Sequence, residues 1–212
     1  MKLYYAAVST YSQKALIALY EKGVPFEAVP VNLASAEARA EYEKVYPLGK
    51  VPFLVADDGW SVPESTIICE YLDDRFPDRP RLIPDGREAA RQVRFMDRMC
   101  DLYVNEPVVE LLFQKVGFRA ADETRAAKAR KQVGVAFGYL EQRLSQTGAW
   151  LCGDAFSMAD CALIPPLFYA QVSAPFTDRP ALQAYWQRAQ GRPSYQRVLA
   201  EFKPIWDAMT AR

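Results

Sequence analysis

Short apolar runs and longer segments with helical spacing alternate through the first eighty residues. Lys2–Tyr5 is short and aromatic, as in a buried strand, whereas residues 12–23 space their apolar side chains as a helix does and end at Gly23. In chain order, the pattern predicts a strand at 2–5, a helix at 12–23, a strand at 26–31, a helix at 35–45, two strands within 51–63 and a helix at 65–75. A βαβ unit followed by a hairpin and a helix forms a small mixed sheet with helices on its faces.

The pattern changes after residue 76. Residues 77–86 are rich in proline and end in a glycine, which is typical of a linker. Beyond them the strand signal fades, and helices are predicted at 87–113, 122–146, 157–169, 180–190 and 194–202. Val93, Met96, Cys100 and Tyr103 predict one buried helix face, and Pro107 predicts a kink. We therefore predict an α/β domain at 1–76 and an all-α domain at 87–212.

Charge and the lack of histidine narrow the possible chemistry. The 26 basic and 26 acidic residues of the 212-residue chain cancel, so we expect no nucleic-acid partner. Histidine is absent, which excludes a Ser-His-Asp triad, a Cys-His pair and histidine-ligated zinc. A base acting near neutral pH must then be a perturbed carboxylate, lysine or tyrosine, or belong to a cofactor or substrate.

The cysteines and the apolar segments suggest where the protein works. Cys69, Cys100, Cys152 and Cys161 form no CxxC pair, so neither a redox dithiol nor a zinc knuckle is indicated, and we expect no metal. Reduced thiols in mostly apolar surroundings favour a cytoplasmic protein. The N-terminal segment has no long apolar run, and no stretch reaches the roughly 18 apolar residues of a membrane span. We therefore expect neither a signal peptide nor a membrane partner.

Three motifs point to a family. They are PLGKVPFL at residues 47–54, Glu64-Ser65 at the start of a predicted helix, and Ser157-Met158-Ala159-Asp160 at the start of another. Their order and spacing resemble those of the cytosolic glutathione transferases, although Tyr46 stands where that family commonly has asparagine. The resemblance covers nearly the whole chain. It implies an N-terminal thioredoxin-like domain, β-α-β-α-β-β-α, and an all-α C-terminal domain, with Ser157 and Asp160 forming a structural capping box.

The resemblance assigns residues to glutathione. In that family the bond equivalent to Val51-Pro52 is cis and turns the backbone of Val51 outward, to pair with the cysteinyl part of the tripeptide. The helix N-terminus and the Ser65 hydroxyl would bind the γ-glutamyl carboxylate, while Glu64 would accept from its ammonium group. Lys50 would pair with the glycyl carboxylate. The alternatives are an ordinary turn at Pro52, a simple helix cap at Ser65 and a solvated Lys50.

The family's chemistry requires a donor to the glutathione sulphur, and that donor should lie in the loop after the first strand. Matching this loop to serine-type, bacterial members with phi-, tau- or zeta-like loops puts Ser9 at the catalytic position and Ser12 at the cap of the first helix. A shifted register would favour Thr10, and Tyr11, Tyr5 and Ser12 carry the other candidate hydroxyls. No cysteine precedes Cys69, which argues against a cysteine-type member.

The electrophile pocket is expected between that loop and the first long helix of the α half. Its candidate lining consists of Tyr11, Met96, Met99, Cys100, Tyr103 and Phe113, and the alternative is that these residues are simply core. The resemblance implies a cytoplasmic homodimer that works in detoxification by joining glutathione to a small hydrophobic electrophile. Two alternatives stay open: a zeta-like isomerase or dehalogenase that uses glutathione, and a non-catalytic ligand-binding protein of the same fold.

Overall fold

The first seven elements form one four-stranded sheet with three helices. The computed structural model describes residues 1–211. In chain order these elements are β1 Lys2–Tyr5, α1 Thr10–Lys22, β2 Glu27–Pro30, α2 Ala36–Glu43, β3 Phe53–Val55, β4 Ser61–Pro63 and α3 Ser65–Arg75. The predicted order β-α-β-α-β-β-α is confirmed, because each short apolar run became a strand and each segment with helical spacing became a helix.

The sheet brings three chain segments to one of its ends. Its strand order is β2-β1-β3-β4, with β1 parallel to β2 and antiparallel to β3, and β3 antiparallel to β4. Tyr4 is paired with Phe53, which is paired in turn with Pro63. The end of β1, the start of β3 and the end of β4 therefore share one end of the sheet. Pro30 is the last residue of the edge strand β2, so its missing N–H removes no hydrogen bond between strands.

Helix α1 begins earlier than the sequence predicted. Ser9 is its N-cap, and the Ser9 Oγ accepts a hydrogen bond from the Ser12 N–H at 3.3 Å. The prediction that Ser12 caps this helix is wrong. Ser12 is buried inside the first turn, and its Oγ accepts from the Ala6 N–H at 3.2 Å, so it fastens the loop to the helix. The helix ends at Gly23 in the left-handed conformation, φ 61°, as predicted.

A buried ion pair joins α1, α3 and the segment that follows α3. The Lys22 Nζ donates to the Asp73 Oδ1 and to the Phe76 carbonyl oxygen, both at 2.9 Å. The Leu82 N–H donates to the same carboxylate at 3.0 Å. Both charged side chains are buried, so each is stabilised by the other rather than by water.

The remaining helices are α4 Arg87–Met99, α5 Glu106–Lys115, α6 Glu123–Leu144, α7 Met158–Ser173, α8 Pro180–Gln190 and α9 Pro193–Thr210. By its internal contacts the chain divides into one unit of Met1–Leu82 with the residues from Gln196 onward, and a second unit of Ile83–Tyr195. Helix α9 therefore contributes its later turns to the first unit. There the Glu201 carboxylate accepts from the Tyr20 hydroxyl at 2.5 Å and from the Tyr5 hydroxyl at 3.3 Å.

A π-helical segment, Cys100–Asn105, separates α4 from α5 and shifts the phase of the buried face. Val93, Met96 and Cys100 are buried as predicted, but Tyr103 is 52% exposed and Val104 is buried in its place. Each π turn holds one more residue than an α turn, so side chains beyond it rotate around the axis. Pro107 lies in the first turn of α5. Because proline has no N–H, it cannot donate a backbone hydrogen bond to the irregular turn that precedes it.

The second unit contains the capping box that the sequence predicted. The Ser157 N–H and hydroxyl both donate to the Asp160 Oδ2 at 2.8 Å, and the reciprocal cap is present at the start of α7. The other carboxylate oxygen accepts from the Leu151 N–H at 3.0 Å and from the Tyr185 hydroxyl at 3.1 Å. Burial raises the pKa of Asp160, while these donors oppose that rise.

Candidate active site

Three chain segments lie at the same end of the sheet in the first unit. The loop Ala6–Ser9 follows β1, Lys50–Pro52 precedes β3, and Glu64-Ser65 follows β4. Because the strands are paired in the order β1-β3-β4, these segments are neighbours in space although they are distant in sequence. The fold thus gathers most of the residues that the sequence assigned to glutathione.

Ser9 carries a hydroxyl that is suited to donate a hydrogen bond. The side chain is partly exposed, and its oxygen already accepts from the Ser12 N–H. Within residues 1–211, no acceptor is hydrogen-bonded to the Ser9 hydroxyl proton. A hydroxyl holds one donor and two acceptor sites, so the cap orients the oxygen and leaves the proton for a ligand. The N-terminus of α1 adds a partial positive charge that no acidic residue in its first turn offsets.

The other candidate hydroxyls are placed differently. Thr10 and Ser12 are buried, whereas Tyr11 is partly exposed. Tyr5 is largely buried and its hydroxyl donates to Glu201. Burial and the nearby Glu201 charge raise the pKa of Tyr5, which opposes formation of a phenolate.

The residues before β3 form the second part of the site. The Val51-Pro52 bond is cis, as the family resemblance implied, and Pro52 is buried. Gly49 has φ 58°, a conformation that side-chain-bearing residues rarely adopt, and it brings the chain round to Lys50. The Lys50 side chain is exposed, and it has no ion-pair partner among the described residues.

Glu64 and Ser65 form the third part. Glu64 has φ 69° and is the one non-glycine residue among residues 1–211 with a positive φ. Such strain is concentrated at functional sites because other parts of the structure must maintain it. Glu64, and not Ser65, takes the N-cap position of α3, so the alternative of Ser65 as a simple cap is wrong. Neither side chain is hydrogen-bonded within the described chain, which leaves both able to bind a ligand.

We expect Glu64→Gly to separate stability from binding. Glycine adopts φ 69° without strain, so the free energy of unfolding should rise by about 1 kcal/mol. Loss of the carboxylate should weaken glutathione binding roughly tenfold or more. Denaturant unfolding and calorimetric titration measure the two effects, and Glu64→Gln, which retains the strained backbone, is the control for stability. A glycine variant that is less stable and binds equally well would contradict this expectation.

Lys14 is a buried residue beside the site that the sequence pattern did not indicate. The Lys14 Nζ donates at 2.9 Å to the Oγ1 of Thr66, the residue that follows Ser65. A lysine is normally taken as solvent-facing. The available signal was spacing, because Lys14 lies three and four residues before Ile17 and Ala18, which are both buried.

The residues predicted for the electrophile pocket do not all share one surface. Met96 and Cys100 are fully buried within the second unit, and Phe113 is partly buried with its ring 5.8 Å from that of Phe118. Met99 and Tyr103 line an apolar groove of about 480 Å³. Its other lining residues, from α4 and α6, are Phe95, Lys128, Lys131, Gln132, Val135, Ala136 and Tyr139. We call this surface the α4–α6 groove.

Within residues 1–211, no group of three or more cysteine, aspartate or glutamate side chains is arranged to hold a metal ion. Over the same range, no helix combines the length and apolar character needed to cross a membrane.

Comparison with known proteins identifies the family. The profile described as "Glutathione S-transferase, N-terminal domain" matches residues 3–80, and "Glutathione S-transferase, C-terminal domain" matches residues 94–193. The chain is 30% identical to glutathione S-transferase F10 of Arabidopsis thaliana, over 93% of this chain and 96% of that protein. It is 33% identical to a maleylacetoacetate isomerase of Pseudomonas aeruginosa, over 81% and 82%. Among solved structures, glutathione transferase F2 of Populus trichocarpa superposes with a TM-score of 0.85 at 25% identity, over 96% and 99%. The chain therefore belongs to the glutathione S-transferase family, whose N-terminal and C-terminal domains it both contains.

Proposed function

We propose that this glutathione transferase binds glutathione at Lys50, Val51, Pro52, Glu64 and Ser65 and activates its thiol with Ser9. The observation that carries the proposal is the Ser9 hydroxyl. Its oxygen accepts the Ser12 N–H at 3.3 Å, and its loop shares an end of the sheet with the other two segments. The proton is thereby available to a sulphur at the N-terminus of α1.

Ser9 and the N-terminus of α1 can supply the free energy needed to lower the pKa of the glutathione thiol. A free thiol has a pKa of about 8.5, and lowering it by about two units requires roughly 2.7 kcal/mol. One hydrogen bond to an anion contributes about 1.5–3 kcal/mol, and a helix N-terminus contributes about 0.3–1 kcal/mol. Ser9 and α1 together can supply that amount, so the mechanism needs no side-chain base to carry the proton.

The reaction follows from the thiolate. The thiol proton passes to solvent, and a sulphur lone pair forms a bond to the electrophilic carbon. In a displacement, the leaving group departs with its bonding pair; in an addition, the carbanion formed takes a proton from water. The Ser9 hydroxyl donates a hydrogen bond to the anionic sulphur until the new bond forms, and Ser9 itself takes no covalent part in the reaction.

The proposal is tested by binding and turnover together. Calorimetric titration should show one glutathione bound per chain, and an activated chloronitrobenzene should yield the glutathione conjugate with release of chloride. Binding without any turnover of several electrophiles would favour the ligand-binding alternative. Failure to bind glutathione would overturn the proposal.

Similarity to a maleylacetoacetate isomerase favours a second candidate, in which glutathione adds to a substrate and is then released. The same Ser9-stabilised thiolate would begin that reaction. Product analysis separates the two, because a conjugating enzyme consumes one glutathione per turnover whereas an isomerase consumes none. The zeta-like dehalogenase alternative would release halide from its substrate without accumulating a glutathione conjugate.

We further propose that the chain is a homodimer joined through the α4–α6 groove. Phe95, Tyr103, Val135 and Tyr139 are 41–69% exposed there, which is unusual for large apolar side chains close together. A twofold contact would cover the same surface on both copies. Sedimentation equilibrium should give a dimer for the wild type, and a monomer for Val135→Glu because a carboxylate would be buried in the contact.

The control for the dimer is Val172→Glu, which adds the same charge at an exposed valine of α7 outside the groove. It should remain dimeric. A monomeric wild type, or a Val135→Glu variant as dimeric as this control, would contradict the assignment of the interface.

The wider setting is also part of the proposal. The cysteines of the described residues are free, which favours the cytoplasm. A role in detoxification would follow from the conjugation of electrophiles. Residues 1–76 would bind glutathione, and residues 87–212 would hold the electrophile pocket. An electrophile affinity that changes in Phe113→Ala, at a predicted pocket residue outside the α4–α6 groove, would support that division of roles.

A further inference from the structure

We infer that Tyr42 is a positioning residue for glutathione, acting through the Lys50–Val51 peptide. This inference rests on the proposed binding of the tripeptide by the Val51 backbone. It concerns a tyrosine on α2 that has no part in the proposed chemistry.

Tyr42 ties α2 to the binding segment. It is the one buried residue of α2, and its ring lies 5.7 Å from that of Tyr4 on β1. The hydroxyl donates to the Lys50 carbonyl oxygen at 2.6 Å. The ring is thus fixed by packing, and the hydroxyl is presented to a single backbone acceptor.

The direction of that acceptor determines the direction of the Val51 N–H. The Lys50 carbonyl and the Val51 N–H belong to one peptide unit, which is planar and trans. In such a unit the two groups point in opposite directions. Holding the carbonyl on Tyr42 therefore aims the N–H away from α2, and that N–H has no partner among the described residues.

The hydrogen bond persists across the working pH range. Burial, followed by the neighbouring Tyr46 and Tyr4, raises the pKa of Tyr42 well above that of a free phenol. The hydroxyl therefore stays protonated and remains a donor. The turn that follows is also closed, because the Gly49 N–H donates to the Tyr46 carbonyl at 2.9 Å. Within this segment, the Tyr42 side chain is the group that orients the Lys50 carbonyl.

Tyr42→Phe keeps the ring and removes only this hydrogen bond. We expect the KM for glutathione to rise about five- to tenfold, with kcat and the pKa of the bound thiol unchanged, because the variant loosens the peptide that binds the cysteinyl group and does not touch Ser9. Calorimetric titration should show the same loss of affinity. A reversibly unfolded fraction would also raise the apparent KM, so denaturant unfolding is measured beside the kinetics, and we expect Tyr42→Phe to be fully folded under the assay conditions.

The matched control is Tyr46→Phe, which removes a hydroxyl from the same segment while keeping a ring stacked 4.4 Å from that of Phe53. It should have the KM of the wild type. Tyr42→Phe with an unchanged KM, or with a KM raised no more than in Tyr46→Phe, would overturn the inference while the proposed function stood. A wild type that binds no glutathione would remove the proposed function, and this inference with it.

Discussion

Ser9→Ala is expected to lower turnover roughly tens- to a thousandfold while glutathione affinity stays close to that of the wild type. The reason is that the serine hydroxyl acts on the sulphur, whereas the tripeptide is held mainly elsewhere. Without the donor, the thiol pKa rises toward its free value, so the pH profile of kcat/KM should shift to higher pH. Steady-state kinetics from about pH 6 to 9 with saturating electrophile measure both effects.

Ser9 also caps α1, so its removal has a structural cost of about 1 kcal/mol. Ser9→Asp separates the two roles. Its carboxylate still caps the helix, but it places a negative charge beside the sulphur and offers no proton, so activity should fall as in Ser9→Ala without the loss of stability. Unchanged turnover in both variants would move the activating role to another hydroxyl, with Tyr11→Phe as the next variant.

Asp73→Asn is expected to lower the free energy of unfolding by about 3–5 kcal/mol. The Lys22 ammonium is fully buried, and its 2.9 Å partner would lose its charge. An amide still accepts from the Leu82 N–H, and the Arg81 Nε, which lies 3.6 Å from the same carboxylate, belongs to a partly exposed side chain, so the loss reports chiefly on the uncompensated lysine. Denaturant unfolding monitored by circular dichroism measures the change.

Two further variants make that experiment specific. Lys22→Met combined with Asp73→Asn removes both charges and should restore more than half of the lost stability. Asp207→Asn, which breaks the exposed pair with Lys203, should change stability by less than about 0.5 kcal/mol. A double variant as unstable as Asp73→Asn alone would show that the buried charge is not the cause.

The parts of the fold that could be predicted from the sequence are those where local pattern and tertiary packing agree. The strand Lys2–Tyr5 and the helix Ser65–Arg75 have the predicted bounds, because apolar residues occur at the spacing that burial requires. The start of α1 was misplaced because Ser9 and Ser12 are both good caps in sequence. Contact with the Ala6 N–H decides between them, and that contact exists only in the folded loop.

Other errors arose where tertiary structure overrides the local pattern. The π-helical segment Cys100–Asn105 rotates Tyr103 outward, and a strict helical period cannot anticipate it. Lys14 and Lys22 are buried by partners that lie more than fifty residues away in the chain. The role inferred for Tyr42 depends on a backbone carbonyl across a turn, which residue types alone do not reveal.

The most direct measurement of the central claim is the ultraviolet absorbance of the glutathione thiolate on titration of the protein with glutathione at about neutral pH. We expect a saturable thiolate band for the wild type, present at a pH where free glutathione shows almost none, and a much weaker band for Ser9→Ala at full occupancy. A wild type that binds glutathione without producing the band, or a Ser9→Ala variant with a band of equal strength, would contradict that claim.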